Sequence, residues 1–551
     1  MRRSTRNQPP AELLRDLFLS LIFLPPLRLA WLLIHNAVNI FISDEWQDDI
    51  SGLLVQSYRR HITIAELVAQ HNESRYLIAR IDFLLLGHLF HGDARACMAL
   101  SYLFACLACL LVYRLARATI ADGTVRLFLC LVSSLLIFSP VQTEAWFSGI
   151  THTFFFPIVF AMIGMLIACS RLNPPLRFAV AAALCGLAQY SYANGVLTFG
   201  MLLPILLLTT KTLRSALFTA TAWIALAIAF ITVYMHGFGL GADHPDMLLA
   251  VYRPLDGLHY FLAFLGSPLG YQPLPIATLL GGIVLGLFIV TCMYILAATY
   301  TREAFARAAP WAMIGFYALG SDALCTAGRL GFGVEQALVS RYTVFSIYLT
   351  ISTLFLGAIC LQDLVARRPR FAFPAAATAA IFTVALLILA VRNFTHGATQ
   401  MAQVHSQRLR AKAAVDWINV FSDDESLQIL WPDQAMIRRR ARQLNRLGIY
   451  EPKLITNPDI GVITVTAPAG NPPGDAVILC GQTAGGRNIA FAMVPVRASR
   501  SGWSGMRAAN QVPAGTVSIS AYAFDAERAV AFRLAVNGWS ISPTGAGVGR
   551  R

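Results

Sequence analysis

Charge is scarce in this sequence. Asp, Glu, Lys and Arg make up 13% of its 551 residues, while 56% are hydrophobic and the mean hydropathy is +0.59. Soluble domains carry about 25% charged residues. The deficit excludes an ordinary soluble enzyme, and it excludes disorder, because disordered chains are rich in charge and poor in aromatics. Lysine is nearly absent: of 43 basic residues, only Lys211, Lys412 and Lys453 are lysines. A disulfide framework is missing too. Nine of the ten cysteines precede residue 392, mostly inside apolar runs, and Cys480 stands apart. Cys106-Leu-Ala-Cys109 has no second pair to make a metal site. No GxxxxGK[ST] loop supports ATP-driven transport, and no HExxH or His/Cys cluster has metal-ligand spacing. Gly237-Phe-Gly-Leu-Gly241 follows an apolar run instead of a strand and reads as a loop. No small-residue cleavage site follows the first apolar stretch, which reads as a retained helix.

What the chain has is long apolar runs. A membrane span needs about 20 apolar residues. Candidates fall near 16–42, 95–114, 127–140, 153–170, 176–190, 195–210, 214–235, 275–299, 310–324, 342–363 and 371–391, about eleven transmembrane helices. Alternate junctions carry Arg2/Arg3/Arg6, Arg114/Arg117/Arg126, Arg171/Arg177, Lys211/Arg214, Arg302/Arg307 and Arg367/Arg368/Arg370. The positive-inside rule makes these cytoplasmic. The opposite junctions carry Asp44, Glu45, Asp48, Asp49, Glu144, Asp243, Asp246 and Asp256. The expectation is a multi-pass protein with its N-terminus inside and everything after 391 outside. Pro25-Pro26 should kink the first span. Residues 76–90 and 257–267 read as helices lying in the interface.

Composition changes after 391. Residues 392–452 read as a polar helical connector and 453–551 as a small extracytoplasmic β-rich domain, expected to be a sandwich by its short Val/Ile/Phe runs: Gly461–Thr466, Ala476–Leu479 and Val517–Ala523. The net charge of +14 would suggest nucleic acid in a soluble chain. Here 392–551 hold 18 basic and 10 acidic residues, a net of +8, and the rest is an orientation signal. A basic domain outside the membrane suits anionic lipids or phosphorylated glycans, so no nucleic-acid partner is expected.

The first outer loop, 43–94, opens with Ser43-Asp-Glu-Trp-Gln-Asp-Asp49. Carboxylates this close repel, which can raise one pKa and make a base. A solvated loop explains the same residues equally well in isolation. The loop continues through His71-Asn-Glu-Ser-Arg75 to Arg80. A second cluster runs from Gly328-Arg329 to Ser340-Arg341-Tyr342, and arginine forks suit phosphate oxygens; snorkelling to headgroups is the bland alternative. Smaller polar groups sit at Glu144 with His152 and at Tyr192 with Asn194.

These residues resemble the GT-C membrane glycosyltransferases, the bacterial relatives of protein O-mannosyltransferases and lipid A aminoarabinose transferases, over roughly residues 15–391. The resemblance implies sugar transfer from a polyprenyl-phosphate donor to a lipid, glycan or protein acceptor at the outer face of a bacterial inner membrane. It implies Asp44 as catalytic base, with Glu45 orienting it or touching the acceptor. Arg329 and Arg341 would hold the departing lipid phosphate, with Arg75 and Arg80 as alternatives. Asp48, Asp49, His71, Glu73, Glu144, His152, Tyr192, Asn194 and Tyr342 complete the candidate site. Some members of that group bind a divalent metal ion. Three other readings compete: an O-antigen polymerase or ligase, a lipid or polysaccharide transporter or flippase, and a glycan-binding scaffold. The transporter reading expects ionisable residues at mid-membrane depth, and the spans read as largely free of acids.

Overall fold

A computed structural model describes residues 10–240, 244–270, 273–298, 302–418 and 424–450, and then 453–455, 476–484, 488–495, 516–525, 530–534, 539–541 and 548–550. The chain forms two compact units. The first comprises Met1–His35, Thr63–Asp82 and Cys97–Met401; the second comprises Asn36–Ile62, Phe83–Ala96 and Ala402–Arg551.

The first unit is a helical bundle, and the chain is a polytopic α-helical membrane protein. Among the described residues seven helices are long and apolar enough to cross a membrane: Leu14–Asn36, Ala94–Thr119, Thr151–Ala168, Leu213–Met235, Leu274–Ala297, Ser340–Arg367 and Pro369–Asp416. The other four expected spans are helical as well, but differ in kind. Gly123–Ile137, Pro174–Gln189 and Leu197–Leu208 are 15, 16 and 12 residues long, short of a full crossing. Arg302–Arg329 has 28 residues but carries Asp322 inside the stretch expected at 310–324. The first span breaks at Phe23, between Pro10–Ile22 and Leu24–Asn36, just ahead of Pro25-Pro26. The two expected interfacial stretches are the helices Leu77–Leu89 and Pro254–Gly266.

Burial separates lipid-facing helices from central ones. Leu213–Met235 leaves Leu213, Leu217, Phe218, Ile228 and Val233 exposed, as a helix in hydrocarbon should. Thr343–Arg367 buries an almost continuous run from Thr343 to Thr353. It packs against Arg302–Arg329 and Leu274–Ala298. Trp311 stacks flat on Phe355 at 3.7 Å, and its indole N–H donates to Thr119 at 2.9 Å. Small residues allow the closest approach. A Cβ on Gly266 would strike the carbonyl of Ala277, and one on Gly281 the carbonyl of Leu262. Pro254–Gly266 and Leu274–Ala298 therefore meet backbone to backbone, the packing that glycines permit in membranes.

The expected boundary at 391/392 falls inside one 45-residue helix, Ala372–Asp416. At 1.5 Å per residue that helix is about 68 Å long, more than twice an apolar core of about 30 Å, so it is too long for its whole length to serve as one span. The second unit continues with helices Asp424–Gln428 and Gln434–Asn445. Its strands form one five-stranded sheet in the order 453–455, 530–534, 516–525, 476–483, 488–495, antiparallel except for the first pair, plus the ribbon 539–541/548–550. Among the described residues this replaces the two facing sheets of the expected sandwich. The reason is a helical cover: Tyr522 and Phe524, alternate residues on one sheet face, are buried, and Trp417 packs on both rings at 6.5 and 6.0 Å. The strand expected at Gly461–Thr466 lies outside the described residues.

Candidate functional site

The carboxylate turn belongs to the second unit. Ser43–Trp46 is a single 3-10 turn, and Ser43 adopts φ +51, a left-handed conformation unusual for serine. It is held there by its N–H, which donates to Leu430 O at 2.8 Å. Strain of this sort persists where surrounding structure fixes it and gathers at functional positions. Glu45 is fully buried, and its carboxylate accepts from the Ile42 N–H at 3.2 Å. Trp46 is fully buried as well and donates to Phe41 O at 2.7 Å. Between them Asp44 stays half-buried, with the Gln47 amide 3.4 Å from its Oδ1. Of the adjacent carboxylates Glu45 thus serves the fold of the turn, and Asp44 keeps access to solvent.

Behind the turn lies a buried polar network supplied by the segment after residue 401. The Phe41 N–H donates to Tyr450 Oη at 3.0 Å, and the rings of Phe41 and Trp46 both pack on Tyr450. Burial pushes the Tyr450 hydroxyl well above its ordinary pKa; the Phe41 N–H opposes this, while Glu45, Asp416 and Asp93 add to it. Lys412 pairs with Asp416 at 2.5 Å and lies 5.9 Å from the Tyr450 ring centre. Burial raises the Asp416 carboxyl to about 7, with Lys412 pulling it down. Asp48 is exposed and pairs with the buried Arg440. Burial lowers the pKa of that guanidinium, and Asp48 works against the shift. The guanidinium fills the space beside Gly52 that a side chain would need. Asp49 is half-buried.

The arginines expected to hold phosphate belong to the first unit, and the structure divides them. Arg75 donates to three backbone carbonyls: Tyr234 O at 2.7 Å, Val68 O at 3.0 Å and His236 O at 2.6 Å. It closes the C-terminal end of Leu213–Met235, where carbonyls lack helical partners. Arg80 is buried and donates to Leu67 O at 3.0 Å and Ala69 O at 2.5 Å. Both forks serve the backbone.

Arg329 and Arg341 are placed differently. His71 and Ser74 face each other across a two-residue hairpin turn with Asn72 at φ +48, and Glu73 stands at its tip. The Glu73 carboxylate meets Arg329 at 2.8 Å and His244 Nε2 at 2.7 Å. His244 Nδ1 lies 2.7 Å from Pro245 O, so both ring nitrogens face oxygen acceptors. Arg341 meets Glu144 at 3.2 Å and covers the ring of Tyr342 at 5.0 Å. Beside them Glu144, Glu335 and Ser340 line an open groove of about 630 Å³ with Pro273, Leu274, Leu338 and Val339. Tyr342, Phe154, Tyr192 and Phe345 form one aromatic cluster, extended by Tyr76 and His71. Asn194 donates to Tyr317 Oη at 2.9 Å and Ser321 Oγ at 3.0 Å. His152 is buried, with Nδ1 2.6 Å from Gly149 O and Nε2 3.7 Å from Asp82.

Sequence reasoning missed Asp322. It is fully buried in Arg302–Arg329, its Oδ1 3.3 Å from Thr326 Oγ1 and its Oδ2 without a hydrogen-bond partner among the described residues. Its signal was available: an acid within an apolar run. It is an exception within spans that are otherwise largely free of acids. Tyr450, Lys412 and His244 were missed for want of any local pattern, and Arg440 stands in the basic run Arg438-Arg-Arg-Ala-Arg442, which does not mark it off from its neighbours. For the divalent metal that the resemblance allows, the described residues offer no group of three His, Cys, Asp or Glu side chains able to hold it.

No protein-family profile matches this sequence, and no curated protein does. Among solved structures the chain is similar to the crystal structure of ArnT from Cupriavidus metallidurans in the apo state, at 13% identity, covering 62% of this chain and 76% of that one, with a TM-score of 0.27. At that TM-score the likeness is too slight to assign a fold or a function.

Proposed function

We propose that this multi-pass membrane protein is a GT-C-type glycosyltransferase that moves a sugar from a polyprenyl-phosphate donor to a lipid, glycan or protein acceptor at the outer face of a bacterial inner membrane. The observation that carries the reading is the Ser43–Trp46 turn. A half-buried aspartate is presented from a strained backbone, a buried glutamate fixes that backbone, and a polar network supports it from behind. Asp44 acts as the base. It takes the proton of an acceptor hydroxyl as that oxygen bonds to the anomeric carbon with inversion. The bond from the anomeric carbon to the phosphate oxygen breaks, and the lipid phosphate leaves with the electron pair. Guanidinium forks such as those of Arg329 and Arg341 suit the phosphate charge, which grows in the transition state. The basic junctions of the sequence support an inside N-terminus and an outside segment after 391.

The test is transfer from a polyprenyl-phosphate sugar by purified Asp44→Asn. A lost base removes about 10²–10⁴ in rate, with membrane insertion unchanged. Transfer at the wild-type rate overturns the assignment of Asp44. A transporter or flippase is the second reading, and Asp322 is the observation that favours it, since buried acids in membrane helices mark ion and substrate paths. Transport lost in Asp322→Asn with no transferase activity in the wild type would establish that reading in place of the first.

A further inference from the structure

The helix Gln434–Asn445 has two chemically distinct faces. Ile437, Arg440, Ala441 and Leu444 are buried, whereas Arg439, Arg442 and Arg446 are exposed and Arg438 is half-buried. The exposed side forms a groove of about 380 Å³ lined by Ala435, Arg438, Arg439, Arg442, Gln443 and Arg446, with no acidic residue in its lining. Part of its charge is answered within the unit: Arg438 pairs with Asp424, and Arg439 lies 3.8 Å from Asp48. Arg442 and Arg446 have no carboxylate within ion-pair distance among the described residues. Gln443 lines the same groove and brings a side-chain amide beside the guanidinium forks. Guanidinium forks beside one amide oxygen match a phosphoryl group that carries a neighbouring hydroxyl.

The chain tethers this unit to the membrane. Residues 36–62 follow the membrane-length helix Leu14–Asn36 directly, residues 83–96 lead into Ala94–Thr119, and residue 402 continues the long helix Ala372–Asp416. Headgroups are the most concentrated phosphate at such a position, and basic clusters next to spans are drawn to anionic ones. We infer that the groove binds the phosphoglycerol headgroup of an anionic membrane lipid. This site is independent of the glycosyltransferase reading.

The test uses the full chain in neutral detergent, titrated calorimetrically with short-chain phosphatidylglycerol, the matching phosphatidylcholine and inorganic phosphate. Phosphatidylglycerol should bind more tightly than either of the others. Arg442→Gln with Arg446→Gln should weaken that binding about thirtyfold, from the usual contribution of two arginines at an anionic surface. The paired change to lysine should keep it within about threefold, and Arg171→Gln, on an exposed turn elsewhere, should leave it unchanged. Circular dichroism checks that the glutamine variant folds. Unchanged phosphatidylglycerol affinity in that variant overturns the site. Inorganic phosphate binding as tightly as the lipid, and weakened by the same variant, overturns the lipid as its occupant.

Discussion

Lys412→Met isolates the buried pair beneath the carboxylate turn. In the native fold Lys412 and Asp416 lie 2.5 Å apart with side-chain exposures of 4% and 0%. Removing the lysine leaves a carboxylate buried without its counter-charge, which destabilises by about 3–5 kcal/mol. Loss of the ammonium near the Tyr450 ring adds about 0.5 kcal/mol. The effect depends on pH. The folded Asp416 carboxyl is raised to about 7, against about 4 in an unfolded chain, so the folded state holds its proton more tightly. The stability this group contributes is full below about pH 4 and falls as pH rises through 7. Lys412 opposes the rise, so its removal pushes the carboxyl higher still. At pH 5 the variant buries a neutral acid and loses about 1 kcal/mol, one hydrogen bond; at pH 8, about one unit above the native carboxyl, the loss grows to about 2–3 kcal/mol, and it reaches the full penalty only above the raised carboxyl of the variant. Replacing both residues, Lys412→Met with Asp416→Leu, removes both charges and should return to within about 2 kcal/mol of the wild type. Hydrogen exchange of the amides in 402–450 of the detergent-solubilised chain reads this locally. Equal losses at pH 5 and pH 8, or a double variant as unstable as the single one at pH 8, would show that Lys412 and Asp416 do not form a buried charge pair.

Glu73→Gln keeps the shape of the hairpin tip but removes the charge that meets Arg329 and His244. These groups are about a quarter exposed or less, and the expected loss is about 1–2 kcal/mol in thermal unfolding; no loss would show that the contacts contribute nothing to stability. Gly281→Ala drives a methyl group into the Leu262 carbonyl, whereas Gly282→Ala meets nothing within 4 Å. The first should destabilise by about 3 kcal/mol as the helices separate, and the second should be neutral or slightly stabilising. Matching melting temperatures for the two would show that this helix pair does not pack as closely as described.

The sequence was most legible where structure is local. Among the described residues every apolar run read as a span is helical over most of its length, the first breaks beside Pro25-Pro26, and the strand signals near 476 and 517 are strands. It was less legible where length and packing trade off. Gly123–Ile137 and Leu197–Leu208 are too short to cross fully, yet read as spans because apolar composition alone does not show where a helix stops. The candidate site was half legible. The acid-rich turn stood out by its composition, but nothing nearby distinguished the exposed Asp48 from the buried Glu45. Arg75 and Arg80 looked like Arg329 and Arg341 until their backbone partners were seen.

The membrane helices, the alternation of basic and acidic junctions and the acid-rich opening of the first outer loop could all be read along the chain. A helix closes its own hydrogen bonds within a few residues, and in hydrocarbon every backbone group must be satisfied in that way. Which charges meet is a matter of three-dimensional packing. Arg440 reaches Asp48 across 392 positions, Arg329 reaches Glu73 across 256, and Tyr450 reaches Phe41 across 409. It also joined 402–450, which looked like a connector, to the turn that carries Asp44. Such pairings follow from how buried surfaces pack, and no spacing along the chain encodes them.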